Sequence, residues 1–103
     1  MPKSWVRWRL NPEYISADPE ERTKLWISML ERIKADLKAG KITEWGNCYD
    51  GSGGYALSEL SVTDLFSYLG TWMPYVEFDV KPVLTADQSI ESIKKAAAAA
   101  KAK

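Results

Sequence analysis

Between Ser4 and Leu10 the chain reads SWVRWRL, so that Val6, Trp8 and Leu10 alternate with Trp5, Arg7 and Arg9. A period of two in a segment rich in Val and Trp predicts a strand with one apolar face. The connection NPEYIS is turn-rich. Asp18-Pro19-Glu20-Glu21 then carries the marks of a helix start: a capping carboxylate, proline at the first helical position and acids in the first turn. Leu25, Trp26, Met29, Leu30, Ile33 and Leu37 recur at spacings of three and four, which predicts an apolar helix face. Lys38 and Gly40 supply its end.

Residues Ile42 to Tyr49 and Tyr55 to Leu60 are the predicted second and third strands. Ser61-Val62-Thr63-Asp64 opens a second helix whose stripe is Val62, Leu65, Phe66 and Leu69, with Gly70 near its end. Pro74 separates it from YVEFDVKPVL, a fourth alternating strand in which Pro82 implies an edge position or the strand's end. Thr85-Ala86-Asp87-Gln88 is a capping-box pattern that starts a third helix through Ile90 and Ile93. The order β-α-β-β-α-β with a trailing helix predicts an α+β, ferredoxin-like fold. Right-handed crossovers give an antiparallel sheet of order 4-1-3-2 with both main helices on one face. Residues 1–93 form the expected single domain, and the Ala/Lys-rich tail 94–103 has no apolar face beyond alanine, so fraying or disorder is expected there.

The glycine-rich stretch DGSGG raises the question of a phosphate cradle. Such a loop needs a helix after it, so that free N–H groups point at the anion. Here YALSEL follows, a strand, and the loop holds no Lys or Arg. A β-hairpin is the better reading, with Tyr49 opposite Tyr55 and Asp50 to Gly54 as the connection.

Strand phasing then divides the sheet. The apolar sets of the first and fourth strands must face the helices, because unpaired charge beneath a helix is costly. The hairpin pairing places Gly46, Cys48, Ala56 and Ser58 beneath the helices, with Cys48 as a small buried hydrophobe. The helix-free face is expected to hold Trp5, Trp45, Tyr49, Tyr55, Leu57 and Tyr75, mixed with Arg7, Arg9, Asn47, Glu59, Glu77 and Asp79. So much aromatic surface calls for a cover, and a second copy's sheet is the economical one. Two such sheets would close an eight-strand barrel able to hold a small ligand. The charged residues admit two readings. In the first, Arg7 and Arg9 form a compensated salt-bridge network with Glu77, Asp79 and Glu59 that sets register. Alternatively an arginine holds an anionic or carbonyl ligand while Glu59 or Asp79 acts as a base.

The closing stretch YLGTWMPYVEFDVKPVLTADQSIE resembles a group of small bacterial proteins of unknown function in the dimeric α+β barrel superfamily. That resemblance implies a homodimer. Relatives of the architecture include cofactor-free monooxygenases, muconolactone-isomerase-like proteins and haem enzymes. The monooxygenases are similar in having asparagine and tryptophan near the cavity, for which Asn47, Trp45 and Trp72 are the candidates here.

Composition narrows the chemistry. The chain has no histidine, which removes Ser-His-Asp triads, Cys-His dyads, His-ligated haem and most zinc sites. No cofactor and no metal is expected. Its single cysteine rules out an intrachain disulfide and fits a reducing compartment. A formal net charge of zero argues against nucleic acid or an anionic membrane as the main partner. With no apolar signal core in MPKSWVRWRL, a cytoplasmic location is expected. The expected function is binding of a small planar or anionic metabolite in the barrel. The alternatives are a cofactor-independent monooxygenase or isomerase using Glu59, Asp79 or Arg7, and a structural protein whose barrel is filled by its own side chains.

Overall fold

The computed structural model describes residues 3–101. Its first long helix begins where the sequence places it. Asp18 accepts a hydrogen bond from the Glu20 N–H at 3.2 Å, and Pro19 follows at the first helical position. The helix, α1, runs Pro19–Ala39 and ends on Gly40, whose φ of 79° is open to glycine at no steric cost. It is preceded by β1 (Lys3–Leu10) and a single 3-10 turn (Pro12–Tyr14). The hairpin strands β2 (Glu44–Asn47) and β3 (Gly53–Ser58) come next, then α2 (Val62–Gly70), capped by the Ser61 hydroxyl on the Asp64 N–H. β4 (Val76–Val83) leads into α3 (Ala86–Lys101). Thr85 and Gln88 form the reciprocal capping box at its start, with bonds of 2.9 and 3.1 Å.

The four strands are antiparallel in the order β2-β3-β1-β4. This is the predicted order read from the opposite edge. β4 is an edge strand, the position in which Pro82 is tolerated.

Val6, which is 2% exposed, and Ala56 supply the sheet's part of the core; Leu65, Tyr68 and Leu69 of α2 pack on them with Ile42, Trp72 and Val76. Met29 and Ile33 of α1 join from the same side, so both helices cover one face. The face of α2 differs from the predicted stripe. Tyr68 turns inward while Val62 and Phe66 stay exposed, Phe66 at 78%. The cause is polar: Tyr68 donates its hydroxyl proton to the buried Asp36 Oδ2 of α1 at 2.6 Å. α1 itself lies loosely on the sheet. Asp36 is its one buried residue, and Trp26, Leu30 and Leu37 are more than a third exposed.

α3 buries no residue and is helical through Lys101, past Ile93 where the sequence ends the domain. Ala102 and Lys103, the last residues of the expected tail, lie outside the described residues, as do Met1 and Pro2. The molecule measures 63 × 26 × 25 Å. No helix among the described residues is long and apolar enough to cross a membrane.

Candidate functional site

The hairpin decides what each face of the sheet displays. Its connection is a hairpin turn, as predicted, but it spans 48–52 rather than 50–54: Asp50 Oδ1 accepts from the Ser52 N–H at 3.0 Å and from the Ser52 hydroxyl at 2.7 Å. Those bonds hold the Asp50 carboxyl below the usual carboxylate range. Gly51 sits in the left-handed region, with φ 74°. The register, however, differs from the expected one. Asn47 pairs with Gly54 rather than Leu57, a displacement of three residues, and Trp45 pairs with Ala56. An odd displacement turns every β2 side chain to the other face.

Trp45 and Asn47 therefore lie on the helix side of the sheet, not on the helix-free face. Gly46 takes the free side, opposite Tyr55. The packing explains the choice. The Tyr55 ring lies directly over Gly46, where any side chain would overlap it, and its hydroxyl reaches Glu44 Oε1 at 3.1 Å. That bond raises the Tyr55 pKa above its ordinary value. On the other side Trp45 stacks on Trp8, with centroids 5.3 Å apart and planes 9° from parallel. Tyr49 and Cys48 follow the end of β2 and are exposed, so neither occupies the position expected for it.

The helix-free face keeps Trp5, Arg7 and Arg9 of β1, Tyr55 and Leu57 of β3, and Glu77 and Asp79 of β4. Lys81 joins them opposite Trp5. Arg9 Nε donates to Glu77 Oε2 at 2.6 Å, an exposed pair worth up to about 1 kcal/mol. Arg7 and Asp79 are register partners, yet among the described residues neither makes an ion pair within 4.0 Å. Glu59 is not beside the arginines: β1–β3 pairing ends at Ser4 and Ser58, and Glu59 follows that end. Tyr75 precedes β4, with its ring edge-to-face on Tyr14 at 5.9 Å and its carbonyl accepting from the Asn11 N–H. Of the three catalytic candidates, Arg7 and Asp79 are thus neighbours and Glu59 stands apart.

The concave site lies on the opposite side of the sheet. Between the sheet and the two helices is a half-open cavity of about 100 Å³. Its floor is Val6, Trp8, Trp45 and Ala56; α1 contributes Trp26, Met29 and Ile33, and α2 contributes Leu65, Tyr68 and Leu69. Trp26 stands at the rim: a Cβ on Gly51 would lie 3.9 Å from its Cη2. Trp72, buried, closes another wall, and the Arg32 guanidinium covers its outer surface at 3.9 Å from the ring centroid. Arg32 also bonds Thr71 through Nη2 to Oγ1, which fastens α1 to the end of α2.

Two positions of this site went unassigned by sequence reasoning. Tyr68 was outside the predicted stripe, and Asp36 was unremarked. The signal was present in Asp36, which follows Met29 and Ile33 at intervals of four and three and so places a carboxylate beside an apolar stripe.

By fold the chain is a small α+β protein with a four-stranded antiparallel sheet, compatible with the ferredoxin-like arrangement. No protein-family model matches it, and no curated protein is similar enough in sequence to be called a relative.

Proposed function

We propose that this chain is a small-molecule-binding protein, and that its pocket is the cavity between the sheet and the helices. The observation that carries this reading is the lining: four tryptophans border one half-open space, and among the described residues none of those around it bears a formal charge. Aromatic walls of that kind favour a small, planar, mostly apolar ligand over an anionic one. Among the described residues, Tyr68 is the one titratable member of the lining. Its hydroxyl is committed to Asp36, which favours binding over proton-transfer chemistry at this place. Ethylbenzene is a suitable first probe. It is expected to bind with a dissociation constant of about 0.1–1 mM, changing tryptophan fluorescence, and Ala56→Leu is expected to abolish the change while the far-ultraviolet circular dichroism stays native. An unchanged spectrum up to the solubility limit of ethylbenzene would refute the pocket.

The uncovered side of the sheet favours a second, compatible reading, self-association into a homodimer. Trp5 and Leu57 lie side by side there, next to Arg7 and Asp79, which have no ion-pair partner among the described residues. A facing copy related by a two-fold axis could satisfy both charges across the contact. Light scattering at micromolar concentration is expected to give twice the chain mass, and Trp5→Glu is expected to halve it. A chain-mass value for the unaltered protein removes this reading and leaves the pocket untouched.

A further inference from the structure

The third helix carries an apolar seam that its own chain leaves uncovered. α3 buries no residue, and Ile90 and Ile93 are 51% and 69% exposed. The seam has the spacing of a coiled-coil stripe: Ala86, Ile90, Ile93, Ala97 and Ala100 recur at alternating intervals of four and three. A helix of 16 residues is close to the length below which even alanine-rich segments fray in water, so the stripe calls for a partner.

The charges of α3 say which partner fits. Glu91 and Lys95 lie away from the seam and pair with each other, Nζ to Oε1 at 3.7 Å. Asp87 and Lys94 each follow a seam residue by one position, so both flank the seam on the same side. Among the described residues neither has an ion-pair partner. They stand two turns apart, about 10 Å along the axis, too far to meet within the helix. A second copy of α3 laid antiparallel supplies what both lack. With Ile90 opposite the partner's Ile93, Ala86 falls opposite the partner's Ala97, and Asp87 comes beside the partner's Lys94 on the flank. The arrangement is its own two-fold image, so every contact occurs twice. A parallel pair achieves none of this, because the flank bearing Asp87 and Lys94 would then face Ser89 and Ala96.

Resting on the homodimer reading above, we propose that α3 is a second interaction surface of the same dimer, a short antiparallel helix pair formed between the two copies. The pair is too brief to hold two chains alone, and the contact between the sheets supplies the local concentration that it needs.

The test measures the dimer dissociation constant of the full chain at low ionic strength. Asp87→Lys sets like charges against each other at both flanking contacts, and so does Lys94→Asp; each is expected to weaken the dimer about tenfold. An equimolar mixture of the two variants restores opposite charges at both contacts and is expected to dimerise as tightly as the unaltered chain. Glu91→Lys and Lys95→Glu change the net charge by the same amounts on the outer side of the helix, and are expected to show neither the loss nor the recovery. All four positions are exposed, so the variants keep the fold. If the flanking variants leave the dimer unchanged, α3 faces a different occupant: the inference is wrong and the sheet contact stands. If both weaken it but their mixture does not recover, or the outer variants behave like the flanking ones, the helices are not paired antiparallel in this register and the inference is equally wrong. A chain-mass value for the unaltered protein removes the sheet contact and the helix pair together.

Discussion

Gly54→Ala is expected to destabilise the chain by about 3 kcal/mol, enough to unfold a large fraction of a small domain at room temperature. The reason is close approach on two sides. A Cβ at this position would overlap the Gly46 carbonyl oxygen of β2 and come within 2.7 Å of Trp8 Cζ2. Neither neighbour is a loose side-chain end: one is backbone of a paired strand, the other an indole fixed by its stack on Trp45. Relief requires β2 to peel from β3 or Trp8 to leave the cavity floor. Gly70→Ala provides the contrast. Nothing lies within 4 Å of a Cβ there, and the residue ends a helix. That change is expected to be neutral or to stabilise by up to about 1 kcal/mol through lower chain entropy in the unfolded state. Urea unfolding midpoints of the two variants measure both. Equal midpoints would show that the hairpin tolerates a methyl group, and the tight register described for it would have to be abandoned.

The glycine contrast also marks where the sequence stops being informative. Helix ends were legible because their signals are local: Asp18 with Pro19, Ser61 with Asp64, and Thr85 with Gln88 each act within a few residues. Sheet order was legible because crossover rules leave few arrangements for a βαββαβ chain. The hairpin register was not. It depends on which of several small residues receives a large ring from the next strand, and Tyr55 over Gly46 competes with alternatives that a linear pattern cannot rank. Because the period is two, that single ambiguity carried Trp45 and Asn47 to the wrong face of the sheet. Arg7, Arg9, Trp5, Glu77 and Asp79 escaped the error because β1 and β4 alternate cleanly. The cavity was beyond reach for a different reason: strands and helices distant in the chain line it together, a matter of packing between elements.

Tyr68→Phe is the second change with a large expected effect, a loss of about 2 kcal/mol. Asp36, 7% exposed, receives the Tyr68 hydroxyl at 2.6 Å, and its remaining charged partner, Arg32 Nε, stands at 3.8 Å. Removing the hydroxyl leaves a buried carboxylate oxygen without its strong donor, whereas the ring that walls the cavity is retained. The loss also has a pH signature. Burial first, and then the bond to Asp36, raise the Tyr68 pKa well above its ordinary value of 10.0. A folded-state pKa raised above the unfolded value means that the fold favours the protonated phenol. The stabilisation is therefore complete below about pH 10 and is lost as pH rises from there toward the raised value. The stability gap between the unaltered chain and Tyr68→Phe should be constant through neutral pH and close on the alkaline side. Lys41, whose ammonium lies 6.0 Å from the Tyr68 ring, is present in both proteins and so cancels to first order in the difference. Urea unfolding of the pair across that range reads the effect directly. A gap that stays constant into strong alkali would mean that Tyr68 ionises as readily in the folded chain as in the unfolded one, and the contact that joins α1 to α2 would then contribute shape without a hydrogen bond of consequence.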